Sequence, residues 1–259
     1  MIQQIFNEDD LPMADLEKTG LAKDGRLLLE TADLQALVSG RRTNMLRLKN
    51  LVDEGLQIPE LDAKLSLKPN ENGNLDLLVH PIYKKAQAPS FLTDTEAEEL
   101  ENGEAANIWK LTKDDKGRPQ EVLVEFDRET REFMVTDTEK ILIPDLVNNE
   151  YLTPEQKEHY RKGKEVEISD GTTFQFSGTE RQGIRSNRLA LVASIIIDGG
   201  VSYMLYQGLN AAFGKKHDKT ESTQFSEGYK LALRDMQANE NALQSYERNS
   251  RENLRRFTR

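Results

Sequence analysis

Cysteine is absent from this chain of 259 residues, so disulfide bonds, thiolate nucleophiles and cysteine-ligated metal sites are excluded. Histidine is scarce as well. His80, His159 and His217 lie far apart, and none has a second histidine three or four residues away, as a helical zinc motif requires. The sequence therefore predicts neither a metal site nor a bound cofactor.

Three sequence signatures of catalysis are also missing. The chain has no GxxxxGK[ST] phosphate loop, no GxGxxG after a strand and no GxSxG nucleophile elbow. Its acidic clusters, such as residues 94–101, are explained by helix capping and by solvated pairs on a helix surface. We therefore expect that the protein is not an enzyme.

Positive charge is in deficit, with a formal net charge of −10. An acidic body repels phosphate backbones, so contact with nucleic acid would need a local basic patch. Hydrophobic residues make up 37% and charged residues 31%, which predicts small cores with a highly charged surface rather than disorder. Residues 1–12 have neither the basic region nor the apolar run of a signal peptide, so we expect a cytoplasmic protein.

An internal repeat is the clearest pattern in the chain. Residues 92–104 (LTDTEAEELENGE) align without a gap on residues 152–164 (LTPEQKEHYRKGK), at an offset of 60 residues. The matched positions are those that begin and end a helix. They are an N-cap threonine, an acid or amide three residues later and a terminal glycine: Thr93, Glu96 and Gly103 in one copy, Thr153, Gln156 and Gly163 in the other.

Segments with the composition of β-strands follow each of these predicted helices and also occur before them. Residues 64–79 alternate around a Pro69–Gly73 turn and predict a hairpin, whereas Thr31 and Gly40 bound a helix. The fold class is therefore predicted as α+β, with a small N-terminal helical module carrying a β-hairpin, two repeats of a helix with an antiparallel sheet, and a C-terminal helical region. The predicted domains are residues 1–88, 89–188, 189–214 and 215–259.

Several phrases of the sequence resemble a known family. "DLPMADLEKTGL", "LVSGRRTNML", "LDAKLSLKPNENGNLDLLVHPI" and "YLTPEQKEHYRKGKEVEI" are similar to paired domains of unknown function in proteins of gut-bacterial conjugative transposons. The resemblance covers roughly residues 11–186. It implies a mobile-element context, and it implies no catalytic residues.

Four basic residues, Arg41, Arg42, Arg47 and Lys49, follow the second helix in an otherwise acidic region. Guanidinium groups bind phosphates well, so this basic cluster is a candidate contact for nucleic acid. The alternative is a solvated turn whose basic side chains pair with neighbouring acids. Similarly, residues 127–130 (DRET) could be taken for a cation loop, but a hairpin turn that uses aspartate and threonine side chains is the favoured interpretation.

The most apolar stretch is residues 189–213 (LALVASIIIDGGVSYMLYQGLNAAF). As one helix it would be long enough to cross a bilayer, but the Asp198-Gly199-Gly200 break opposes this. The prediction is either a buried pair of helices or a membrane span, covered or continued by a long C-terminal helix. The candidate contacts with a partner or membrane are Leu191, Ile195, Ile196, Ile197, Tyr203, Leu205, Tyr229, Met236 and Leu243.

The expected function is that of a non-catalytic interaction or scaffold protein of a mobile genetic element. It would associate with itself or with a protein partner through its C-terminal helices. Two alternatives remain open at this point: a nucleic-acid-binding accessory factor that uses the basic cluster, and a membrane-associated component anchored by residues 189–213.

Overall fold

The structure, a computed structural model, describes residues 5–53, 56–114, 116–197, 200–207, 209 and 225–257. Within these ranges the backbone forms helices and exclusively antiparallel sheets, which confirms the predicted α+β class. Three successive units, each a helix followed by a three-stranded sheet, make up most of the chain. A long hairpin and a C-terminal helix follow them.

The first unit contains two helices, a short hairpin and a sheet. Its elements are a 3-10 turn (Glu8–Asp10), α1 (Met13–Lys18), β1 (Ala22–Lys23), β2 (Arg26–Leu27), α2 (Thr31–Val38), β3 (Leu46–Asp53), β4 (Leu56–Pro69) and β5 (Leu75–Pro81). The predicted hairpin is confirmed, because Leu65 pairs with Val79 across β4 and β5. Strand β3 adds to the other side of β4, which the sequence did not predict. Leu16, Leu37, Leu48 and Leu65 form the centre of the core.

The second and third units repeat this arrangement. The second has α3 (Asp94–Asn102), β6 (Ile108–Lys113), β7 (Pro119–Asp127), β8 (Glu132–Asp137) and a 3-10 turn (Thr138–Lys140). The third has β9 (Leu146–Val147), β10 (Glu150–Tyr151), α4 (Pro154–Arg161), β11 (Val166–Glu167), β12 (Thr173–Phe176) and β13 (Ile184–Ser186). Residues 141–143, whose composition is typical of a strand, instead form irregular backbone, with Ile141 buried in the core.

The predicted helix boundaries of the repeat are confirmed in atomic detail. Thr93 and Thr153 each accept a hydrogen bond from the backbone N–H three residues later, and the side chains of Glu96 and Gln156 accept in return. Both capping boxes are therefore complete. Gly103 and Gly163 take positive φ values of 74° and 66°, as the chain must when it leaves a helix in the left-handed conformation.

The first unit is a third copy of the same plan. Counting from the N-cap residues Glu30, Thr93 and Thr153, the seventh residue on is a buried side chain in every unit, and the tenth is a glycine with positive φ. The buried side chains are Leu37, Leu100 and Tyr160, and the glycines are Gly40, Gly103 and Gly163. In each unit a sequential three-stranded meander follows the helix.

The second and third units pack in alternating layers of helix and sheet. One face of the β6–β7–β8 sheet packs on α3 through Val122 and Val124. The other face contributes Leu123 to the core of the third unit, where it joins Tyr160 of α4 and Phe174 of β12. Because this sheet packs against α3 on one face and α4 on the other, β7 is a continuous buried run from 122 to 125.

The apolar stretch forms strands, so the predicted pair of helices or membrane span over residues 189–214 is wrong. Residues 190–197 are β14 (Ala190–Ile197) and residues 200–207 are β15 (Gly200–Gln207), and the two strands pair along their whole length. The β-branched residues Val192, Ile195, Ile196 and Val201 favour strands. Asp198 and Gly199, like residues 210–214, lie outside the described residues.

The final helix, α5 (Glu227–Phe257), lies on one face of this hairpin. Ala190 and Val192 of β14 pack with Tyr229 and Ala232 of α5, whereas Leu191 of the same strand points into the core of the third unit. Burial on both faces explains why β14 is apolar at seven of its eight positions rather than at alternate positions. Within the described ranges, no helix combines the length and the apolar character that a membrane crossing requires.

Candidate functional site

The basic cluster predicted from the sequence is not a single surface. Arg41 is largely buried and donates from Nε to the carbonyl oxygen of Arg181 in the third unit, 2.8 Å away. Burial lowers the pKa of Arg41. Arg42 is only 8% exposed and faces the second unit. The prediction that all four basic residues together bind phosphate is therefore wrong, because Arg41 and Arg42 join the units instead.

Arg47 and Lys49 remain on the surface, on the same face of β3. Arg47 donates to both carboxylate oxygens of Asp62 on the neighbouring strand, at 2.8 and 3.0 Å. Lys49 lies directly opposite Glu60 in the same strand pair. Each cation thus faces an acid across the sheet, which corresponds to the alternative that the sequence left open.

A buried network of charges joins the first unit to the β7–β8 turn. Lys64 of β4 donates to both oxygens of Asp127, at 3.0 and 2.9 Å, and lies 2.8 Å from Glu129. Arg42 lies 2.7 Å from Glu132 and 3.5 Å from Asp127. Two cations of one unit therefore meet three acids of the next.

The DRET segment, residues 127–130, carries two of these acids, Asp127 and Glu129, and it forms a hairpin turn as the favoured interpretation predicted. Asp127 Oδ1 accepts from the backbone N–H groups of Glu129 and Thr130, which fixes the turn. The backbone N–H of Tyr83 donates to the carbonyl oxygen of Thr130. The cationic groups that fill this turn are side chains of the same chain, Lys64 and Arg42.

His80 extends the network towards the surface. Its Nδ1 lies 3.1 Å from Glu132 Oε2, and its Nε2 lies 2.8 Å from Ser66 Oγ. Burial opposes ionisation of Glu132, but the contacts with His80 and Arg42 outweigh burial and lower the pKa of Glu132. His80 is thus a packing residue of the junction. His159 lies on α4, and His217 is outside the described residues.

A second buried carboxylate, Glu125 of β7, joins the second unit to the third. It accepts from Ser177 Oγ at 2.7 Å and from the backbone N–H of Gly178 at 2.6 Å. Burial raises the pKa of Glu125 from 4.5 to about 6, although these two hydrogen bonds act in the opposite direction. The sequence offered one signal for this residue: an acid on the sheet face that also carries Leu123.

The titration of Glu125 predicts a loss of stability as the pH rises. Below pH 4.5 the folded and unfolded states both hold the proton, and between pH 4.5 and about 6 the unfolded chain releases it first. Relative to Glu125→Gln, which has no carboxyl group, the free energy of unfolding of the wild type should fall by about 2 kcal/mol across this window. Urea unfolding of both proteins at pH 4.5 and 7 measures the difference. If the free energy of unfolding of the wild type, relative to that of Glu125→Gln, stayed constant or rose between pH 4.5 and 7, the raised pKa of Glu125 would be contradicted.

The start of α5 is anchored by a cluster of polar side chains. Asn148, 3% exposed, donates to Asp170 Oδ2, Thr172 Oγ1 and Ser226 Oγ, and its own Oδ1 accepts from the N–H of Val192. Ser226 also accepts from the N–H of Tyr229. Burial disfavours the charge on Asp170, but its hydrogen bonds, first from Ser226, lower its pKa. The helix is therefore held at a fixed point on the third unit.

A polar cleft of about 190 Å³ opens where the first and third units meet. Its lining residues are Asn44, Glu180, Arg181, Gln182, Ile184, Arg185 and Leu209. Arg181 lies 3.5 Å from Asp33, and Arg185 donates to Glu180 and Thr179. The cationic groups of the cleft are thus engaged within the chain.

Four of the nine predicted partner contacts are buried within the chain, and two more are half-buried. Leu191 and Ile195 belong to the core. Tyr229 lies on the buried face of α5 and packs with the half-buried Tyr203 and Leu205, and Met236 of α5 is also buried. The prediction of a contact with a partner or membrane is therefore wrong for four residues, because the folded chain covers their side chains: Leu191, Ile195, Tyr229 and Met236. Ile196 is exposed, whereas the side chains of Ile197 and Leu243 lie outside the described part of the chain.

One comparison with known proteins gives a match. A family model described as "Protein of unknown function (DUF4099)" matches residues 6–90, the stretch that holds the first unit. The predicted resemblance to an uncharacterised domain is confirmed over this stretch. No curated protein and no solved structure matches the chain.

Proposed function

We propose that the protein is a non-catalytic interaction protein of a mobile genetic element, and that it associates with a second copy of itself through its C-terminal module. This module consists of β14, β15 and α5. In this proposal the three units form a rigid base, held together by the Lys64–Asp127 and Glu125–Ser177 contacts, which presents the module. The mobile-element context and a cytoplasmic location rest on the sequence.

The observation that carries the proposal is the length of α5 beyond its docking site. The helix has 31 residues, yet the last buried side chain among its described residues is Met236. Residues 237, 238 and 240–242 are exposed, and about 30 Å of helix follows Met236 at 1.5 Å per residue. Helices in proteins gain most of their stability from packing of one face against other elements, so contact with another molecule would stabilise this part of the helix.

The sequence of this overhang suits association between helices. Leu243 lies seven residues after Met236, and Phe257 continues the same spacing fourteen residues later. Such spacing is typical of helices that pack against each other. The overhang also carries both signs of charge: Glu240 and Glu247 precede a net basic half that contains Arg248, Arg251, Glu252, Arg255 and Arg256. A second copy supplies the complement of each half.

Light scattering over a range of concentrations tests the proposal on the full chain. We expect the mass to rise with concentration from that of one chain, 29.5 kDa, to twice that value. Hydrogen exchange at low and high concentration should then show added protection within residues 200–207 and 227–257. A monomer throughout, or added protection confined to the first three units, would overturn the proposal.

A further inference from the structure

Strand β15 has the composition of an interior strand but lies at the edge of its sheet. Among the described residues the strand order is β10–β9–β14–β15, so β15 has a described neighbour on one side only. Its sequence, GVSYMLYQ, contains no charged residue and no proline. Among the strands that the structure describes, every other edge strand carries at least one charged residue. Proteins use such charges to keep edges from pairing, and β15 lacks this protection.

The hydrogen-bonding direction of each residue in β15 follows from its partner strand. In β14, the even-numbered residues bond towards β9: the carbonyl oxygens of Val192 and Ser194 accept from Asn148 and Asp145. Odd-numbered residues of β14 therefore face β15, where they pair with even-numbered residues. The N–H and C=O groups of Val201, Tyr203, Leu205 and Gln207 consequently point away from the sheet.

One of these four outward positions is already satisfied. Gln207 donates its N–H to Gln182 Oε1, and its carbonyl oxygen accepts from Gln182 Nε2, so the side-chain amide of Gln182 imitates a neighbouring strand. No hydrogen bond of this kind reaches the outward groups of Val201, Tyr203 or Leu205 from the described residues. The open edge is thus three outward positions long and centred on Tyr203.

The geometry points to β15 of a second copy as the occupant of this edge, paired antiparallel about a two-fold axis at Tyr203. Tyr203 would face its own equivalent, and Val201 would face Leu205 of the other copy. This register satisfies all the open backbone groups with six hydrogen bonds and matches apolar side chains on the same face. An open edge that is symmetric about one residue suits a two-fold pairing. The inference rests on the proposed self-association and assigns its contact.

Two substitutions with closely matched surroundings test this contact. Val201 and Ile196 are directly opposite each other in the hairpin, and they are 40% and 43% exposed. Only Val201 lies on the open edge. Glutamate at Val201 should raise the dimer dissociation constant at least about tenfold, because each dimer would enclose two unpaired carboxylates. Ile196→Glu should change the constant less than about twofold.

A crosslink reports on the register directly, because the chain has no cysteine of its own. Hydrogen-bonded antiparallel pairs have Cα atoms about 5.5 Å apart, which a disulfide can span. With a mild oxidant added, Tyr203→Cys should form a covalent dimer, and Ile196→Cys should not.

These results separate the inference from the proposed function. If the wild type is monomeric, both fail. The wild type could instead be dimeric while Val201→Glu dimerises as well as Ile196→Glu and Tyr203→Cys forms no crosslink. In that case the proposed self-association stands, but the assignment of the contact to β15 is overturned. Loss of the dimer in Val201→Glu alone, together with the Tyr203→Cys crosslink, supports the two-fold pairing.

Discussion

Replacing Asp127 with alanine is expected to lower the free energy of unfolding by about 3–5 kcal/mol. Lys64 is 3% exposed, and both oxygens of Asp127 accept hydrogen bonds from its ammonium group. Without the carboxylate, Lys64 keeps only Glu129, whose side chain is mostly in solvent, and Arg42 keeps Glu132. The turn would also lose the acceptor for the N–H groups of Glu129 and Thr130. Urea unfolding measures the loss.

Arg47→Ala is the matched control for this experiment. Arg47 also bonds an aspartate through both carboxylate oxygens, but the pair is exposed on β3. Exposed ion pairs contribute little to stability because water and salt screen them, so the control should lose far less stability than Asp127→Ala. If Asp127→Ala were no more costly than Arg47→Ala, the junction between the first two units would not depend on this network.

The sequence predicted local structure best where a few residues determine it. Thr93, Thr153 and their partners three residues later form the expected capping boxes, because a cap needs only one turn of helix. The third copy of the unit was missed because Glu30 stands at its N-cap without a side-chain cap bond. The shared position of Leu37, the positive φ of Gly40 and the meander that follows the helix reveal it in the structure.

Features that depend on contacts between units could not be predicted from the sequence. A run of apolar residues such as β14 can be a buried helix or a strand covered on both faces, and only the sheet and α5 decide between them. The basic cluster was misinterpreted for the same reason. Nothing local to Arg42 indicates that Glu132, 90 residues later, lies 2.7 Å away.

Replacing Gly163, at the contact between the second and third units, with alanine is expected to lower the free energy of unfolding by about 2–5 kcal/mol. Two effects add. A side chain at the positive φ of 66° is strained, and the new Cβ would lie 2.7 Å from both Cδ atoms of Leu123 and 2.8 Å from Asn107 Oδ1. The Nδ2 of Asn107 donates to the carbonyl oxygen of Gly163 at 2.8 Å, so neither neighbour can retreat freely.

Gly117→Ala separates strain from crowding. Gly117 has a positive φ of 76°, but no atom of the described residues lies within 4 Å of the position that its Cβ would take. This variant should therefore lose only the cost of the left-handed backbone, about 1–2 kcal/mol. The difference between the two variants in urea unfolding isolates the contact of the β6–β7–β8 sheet with the end of α4. Equal losses would mean that the units do not meet at Leu123, and the layered stacking of the second unit on the third would have to be abandoned.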